Sequence, residues 1–142
     1  MSHVSDGPGT EPPQASLPQD RQPTTRVLAT TRDTNVVGDI FGGWIMSQVD
    51  IAASIAAIRR ARGRVVTVAV NSFQFHHPVF VGDLVSCYAD VVRVGRTSIT
   101  VYVEVYAERH RLTEECSRVT EATLTFVAID DQRRPRPVDS TV

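Results

Sequence analysis

The sequence predicts an α+β fold in which one long helix is wrapped by a strongly curved antiparallel sheet. Three observations carry that expectation. A single stretch, 43–62, repeats its apolar residues at helical spacing; everything after Gly63 reads as long, Val-rich strands; and the links between those strands are short turns. At 142 residues the chain is large enough for one domain with a real core.

Residues 1–24 are rich in Pro, Ser, Gln and Gly and hold few large apolar groups. Such a segment cannot bury enough surface to offset its ordering entropy, so a disordered tail is expected there. The ordered domain is expected over 25–138, with a short tail at 139–142. "RVLATT" (26–31) has a short strand pattern, and "RDTNVVGDIFGG" (32–43) has the Asp, Asn and Gly chemistry of a loop.

In the helix, Ile45, Val49, Ala52, Ala53 and Ala56 share an apolar face, and the alanines at 52, 53, 56 and 57 allow close approach to a sheet. Arginines in "RARGR" suit its C-terminal dipole, and Gly63 is the expected C-cap. Strands follow at 64–75, 84–94, 97–108 and 116–130, punctuated by Pro78, by "VGD" (81–83), by the hairpin-type "GR" (95–96) and by the loop "RHRLTEE". One face of such a sheet covers the helix. The rest needs a partner, which points to a homo-oligomer.

Composition narrows the function. A net charge of −1 argues against nucleic acid as the main partner. No apolar run approaches the roughly 20 residues of a membrane span, and the N-terminus has no apolar signal-peptide core. The expected setting is cytoplasmic. Cys87 and Cys116 have neither metal-ligand spacing nor a disulfide framework.

One residue stands out against the apolar helix. Asp50 falls on a polar stripe with Gly43, Ser47 and Ser54. A carboxylate there is either hydrogen-bonded to a serine at a subunit interface or held in a cleft where it activates water. Upstream, Gly42 and Gly43 open the helix. The first N–H groups of a helix lack intrahelical partners and carry the positive end of its dipole, so they bind an anion or a developing oxyanion. From Gly42 to Asp50 is about 12 Å along a helix axis. A carbonyl at Gly42 and a water at Asp50 therefore meet only if they come from different subunits of a two-fold dimer.

Other groups are weaker candidates. Asp39 is expected to cap the helix N-terminus. His76 and His77 lack a third ligand, so no metal site is expected. Ser47 and Ser54 have no histidine base nearby. Arg96, with Thr97 and Ser98, follows a Gly turn suited to phosphate, and Arg64 is a second cation of that kind.

"DTNVVGDIFGGWIMSQVD" (33–50) resembles the signature of the short bacterial acyl-CoA thioesterases of the hotdog fold. "GRVVTVAV", "HPVFVGD", "VGRTS" and "ATLTFVAID" fall where that family has its strands and turns, and the resemblance spans about Arg26 to Val138. It implies an acyl-CoA hydrolase with Asp50 as general base or nucleophile, the Gly42 N–H and the Asn35 amide polarising the thioester carbonyl, and Thr67 orienting the water. It implies a coenzyme A contact at Gly43, Arg64, Arg96, Thr97 and Ser98, with coenzyme A as part of the substrate and no separate cofactor. It implies a dimer that completes the site, and a trimer of dimers as a larger form. Many relatives carry His before the glycine pair; Phe41 stands there instead, as in the short bacterial subfamily. That argues against the rival reading as an acyl-thioester hydratase or dehydratase. A module that binds acyl-CoA without hydrolysing it would keep the glycines and Arg96 and would not need Asp50.

Overall fold

The computed structural model describes residues 15–110 and 114–139. Strand β1 (Thr25–Leu28) leads through a 3-10 turn (Thr31–Asp33) and a loop to helix α1 (Gly42–Ala61). Strands β2 (Val65–Phe75), β3 (Leu84–Val94), β4 (Ser98–His110) and β5 (Glu114–Ala128) follow. All five strands form one antiparallel sheet in the order β1-β3-β4-β5-β2. The expected α+β architecture is present: a long helix against a five-stranded antiparallel sheet.

The core lies between the helix and one sheet face. Ile45, Val49, Ala52, Ala53 and Ala57 are buried, as are Ile99, Val101, Val103 and Val105 of β4 and Leu124 and Phe126 of β5. Alternation along β4 follows from the two-residue strand period: its valines face the helix, while Tyr102 and Glu104 lie on the other face. Each buried Val or Ile contributes about 1.5–3 kcal/mol. Alanine at 52, 53 and 57 keeps the helix's own side chains short at those three positions of the interface.

Several boundaries differ from the sequence expectation. The helix ends on Arg62, which adopts the left-handed conformation (φ 57°) and donates its N–H to Ile58 O. Gly63 is not the cap; a Cβ there would meet the Arg136 guanidinium at 2.7 Å, and Arg136 Nη2 donates to Ala61 O. The expected loop "RHRLTEE" is shorter, because β4 runs to His110 and β5 starts at Glu114. Of the expected disordered tail, 1–14 lies outside the described residues. Residues 15–24 run along the sheet: Ala15 N donates to Cys116 O, Thr24 N donates to Cys87 O, and Arg21 pairs with Asp90 at 2.7 Å. Residues 140–142 also lie outside the described part, and no described helix is long and apolar enough to cross a membrane.

Cys87 on β3 is 1% exposed, and burial pushes its thiol up to about 11. In the unfolded chain the thiol ionises near 9, so between pH 9 and 11 the unfolded state loses a proton that the folded state keeps. Stability from this group is full below pH 9 and falls across that window by roughly 2–3 kcal/mol. Urea unfolding from pH 8 to 11 should show this fall, added to that from Tyr102, which desolvation pushes up to about 12. Cys87→Ala should flatten the curve; an unchanged slope would remove Cys87 as its source.

Candidate active site

The loop between β1 and α1 is a strap held in place from both sides. Thr34 and Ile40 form a bridge pair within it, and Asp39 bridges Phe80. Ile40 N donates to Val79 O, and Phe41 N donates to Asp33 O. At its tip, Asn35 organises the turn: its Oδ1 accepts from Val37 N at 2.9 Å and from Asp39 N at 3.0 Å. Asn35 N donates to Asp39 O at 2.6 Å, and Gly38 takes φ 95°, a conformation suited to glycine. With the carboxamide oxygen committed to backbone, its NH2 group is the remaining hydrogen-bonding capacity of the side chain.

The helix begins on Phe41 with no side-chain cap. Asp39, expected to be that cap, instead uses its backbone to hold Asn35. The two glycines at the start of α1 are exposed. A Cβ on Gly42 would lie 3.3 Å from the Phe75 ring; one on Gly43 would meet nothing within 4 Å. Asn35 and Gly42 line one cleft of about 390 Å³, walled by Ile40, Ile45, Phe75 and Val79.

Asp50 is half-buried and does not reach that cleft. Its partner is Thr67, whose Oγ1 donates to Asp50 Oδ1 at 2.8 Å. The serines of its stripe are engaged elsewhere: Ser47 Oγ donates to Trp44 O and Ser54 Oγ to Ile51 O. The serine-bonded reading of Asp50 is thus replaced by a threonine from the adjacent strand. Sequence shifts in the β2–β5 register at Val68 and Asn71 bulge β2 just after Thr67, and bulges of this kind re-aim neighbouring side chains. Within one chain the four residues therefore form two separate pairs, Asn35 with Gly42 and Asp50 with Thr67.

The strand β2 runs antiparallel to α1, so Thr67 lies beside Asp50 and Phe75 beside Gly42. Among the described residues it is also a sheet edge, 11 residues long and paired with β5 alone. Val68, Val70 and Phe75 on it are exposed.

The cationic candidates lie at the opposite end, where β2 starts, β3 turns into β4 and α1 ends. Arg64 and Arg96 are exposed. The backbone there is well tied: Arg64 O accepts from Ile129 N, Thr97 O from Ala128 N, and Arg96 O from Val138 N. Ser98 closes the turn by accepting Gly95 N on its carbonyl, and its Oγ would lie 2.6 Å from a Cβ at Gly95. Arg64 lines a groove of about 760 Å³ with Arg60, Arg62 and Arg136; Arg96 does not.

His76 and His77 reach the rim of the Asn35 cleft. His76 Nε2 lies 2.7 Å from Glu121 Oε2, whose carboxyl is held below its usual range mainly by that hydrogen bond. Tyr102 donates to Glu121 and Arg118 pairs with Glu104 on the same face. Among the described residues, no group of three or more His, Cys, Asp or Glu is placed to hold a metal.

Comparisons with known proteins bear on the family and the fold. The family model described as the thioesterase superfamily matches residues 37–114. A Haemophilus influenzae protein described as an uncharacterised acyl-CoA thioester hydrolase is 50% identical over 115 residues, covering 80% of this chain and 75% of that one. The Escherichia coli acyl-CoA thioester hydrolase YciA is 46% identical over 113 residues, covering 78% of this chain and 86% of its own. Among solved structures, a hexameric hotdog fold thioesterase of Campylobacter jejuni superposes with TM-score 0.80 at 43% identity, covering 84% of this chain and 92% of that one. A hexameric thioesterase from Yersinia pestis gives TM-score 0.79 at 46% identity, covering 86% and 98%.

Proposed function

The chain belongs to the thioesterase superfamily, and on that premise we propose that it hydrolyses acyl-CoA at a site shared between two subunits. The observation that carries the reading is the 2.8 Å hydrogen bond from Thr67 Oγ1 to Asp50 Oδ1. It fixes one carboxylate oxygen and leaves the other to act on water. The thioester carbonyl is polarised by the Gly42 N–H and the Asn35 NH2 of the facing subunit, where both stabilise the oxyanion. Water attacks the carbonyl carbon and gives its proton to Asp50; the intermediate collapses, the C–S bond breaks, and the proton passes to the coenzyme A sulfur. Direct attack by Asp50 on the carbonyl carbon breaks the C–S bond, releases the coenzyme A thiolate and gives an anhydride that water then cleaves at the Asp50 carbonyl; it uses the same groups. Single turnover in oxygen-18 water tells the two apart, since only the anhydride route places label in Asp50.

What supports a shared site is the placement of its halves. Asn35 and Gly42 line a cleft that Asp50 does not reach. Two copies pairing antiparallel through their β2 edges would set the Thr67 end of one strand against the Phe75 end of the other. That brings Asp50 of one copy to Gly42 of the next. A trimer of such dimers is the proposed larger assembly. From Asp50 to Ala61 is about 16 Å of helix. Arg64 and Arg96, beyond that end, would then serve the coenzyme A phosphates from the subunit that supplies Asp50.

The test is thiol release over a series of acyl-CoAs, run beside hydration of an enoyl-CoA. Saturable thiol release supports the reading; binding without release, or hydration with the thioester kept, overturns it. Arg96→Ala should raise KM for acyl-CoA several-fold with little change in kcat, because phosphate contacts are equal in ground and transition states. The effect should shrink for an acyl-pantetheine thioester without the nucleotide. Equal damage to both substrates would end the phosphate role.

A further inference from the structure

A buried ion pair lies outside both half-sites. Asp83, in the turn before β3, is 0% exposed. Arg109 of β4 grips it with a fork, Nε to Oδ1 at 2.9 Å and Nη2 to Oδ2 at 2.8 Å. The guanidinium lies 4.5 Å from the centre of the Phe80 ring, and Asp83 Oδ2 also accepts Phe80 N at 2.9 Å. Burying a charge pair costs several kcal/mol of desolvation, and apolar residues of the same volume often give equal or greater stability. Neither residue lines the Asn35 cleft or bonds to Asp50. Stability alone is a poor account of the pair.

Its contacts lead to Asn35. Asp83 O accepts Ala29 N at 2.9 Å and Gly82 N donates to Ala29 O at 2.8 Å, which pins the strap where it leaves β1. Phe80, held by Asp83, is the bridge partner of Asp39, and Val79 O accepts Ile40 N at 3.1 Å, which pins the strap where it enters α1. Asp39 in turn holds both the Asn35 side chain and its backbone N–H. Each step is a direct contact, and the strap is gripped at both ends by one turn.

We propose that Asp83 and Arg109 are positioning residues that set the register of the 29–41 strap and so aim the Asn35 carboxamide at the thioester carbonyl. This rests on the role of Asn35 given above. The two-toothed fork matters as much as the charge, since a lysine supplies a point charge without fixing two oxygens.

The test is a double-mutant cycle with Arg109→Lys, which keeps the charge and loses the fork. In the otherwise wild-type enzyme it should lower kcat about tenfold, with KM within about twofold, the signature of a misplaced group and not of lost binding. In the Asn35→Ala background the same change should cost less than about twofold, because the group it positions is gone. Hydrogen exchange should quicken over 33–41 and stay unchanged in the middle of β4 and β5. Glu115→Gln serves as a control with kcat unchanged, since Glu115 meets only the outer nitrogen of Arg109, at 3.1 Å. If Arg109→Lys does not fold, Phe80→Leu removes the ring under the guanidinium and enters the same cycle. Equal losses in both backgrounds, or no loss in either, overturn the positioning role while leaving hydrolysis by the enzyme intact. A wild-type rate in Asn35→Ala alone removes the role of Asn35, and the positioning role with it.

Discussion

Replacing Asp50 with asparagine is expected to lower kcat at least about a hundredfold, the scale of a lost general base or nucleophile. KM and fold should stay near wild type. Asparagine has the same shape, and its carboxamide oxygen can still accept the Thr67 hydroxyl, so the 2.8 Å contact seen in the structure survives. Asp50 is half-buried and forms no ion pair among the described residues, so no opposite charge is orphaned by the change. The loss is therefore chemical and not structural. Thiol release under saturating acyl-CoA, with equilibrium binding measured beside it, checks this. Near-normal turnover would place the chemistry elsewhere. Asp39 would be the next carboxylate to examine, since it lines the Asn35 cleft.

Co-refolding two impaired variants should return about a quarter of wild-type activity. One variant is Asp50→Ala, the other Asn35→Ala. With random pairing about half of the dimers are mixed. Each mixed dimer has one site built from an intact Asp50 and an intact Asn35, and one site with both lesions. The Asn35 variant keeps the Gly42 N–H, so its residual rate is subtracted first. The structure favours this outcome because Asp50 and Thr67 are joined on one side of the chain while Asn35 and Gly42 line a separate cleft. A mixture that gives only the average of its parents, with mixed dimers confirmed by native mass spectrometry, would put the whole site within one subunit.

Local pattern made much of this molecule legible. The strand expected at 84–94 is β3 without change of boundary, and the helix expected at 43–62 is α1 within one residue at each end. Both elements have strong periodicity and clear turn residues around them. Helix-end chemistry was less readable. Asp39 has the right residue type for a cap, but the bridge to Phe80 holds its backbone in the strap, outside the first helical turn. Gly63 has the right type for a C-cap, but Arg62 already takes the left-handed turn. The Thr67–Asp50 contact had no signal in spacing; only the family resemblance pointed to Thr67, because a strand-to-helix hydrogen bond depends on how the sheet curls. Asp83 and Arg109 were invisible as a pair. One reads as turn punctuation and the other as loop, and only the pairing of β3 with β4 in register Leu84 to Glu108 brings them together.

Because β2 pairs with β5 and not with β3, its neighbour in sequence, the order in which the chain is made differs from the order in which the sheet can close. The β3–β4 and β4–β5 hairpins need only short loops. Pairing β2 with β5 must join Phe75 to Thr120 and Val65 to Ala128, and such distant closure is slow. At roughly 5–20 residues per second on the ribosome, β2 emerges several seconds before its partner. During that interval Val68, Val70 and Phe75 have no β5 beside them. Pulse-labelled hydrogen exchange during refolding should find β3, β4 and β5 protected before β2; simultaneous protection would refute this order. Thr67 rides on that late strand, so a chain with its central hairpins already formed still lacks the hydroxyl that orients Asp50. On the proposed mechanism, hydrolysis would then be the last property to arise as the chain folds.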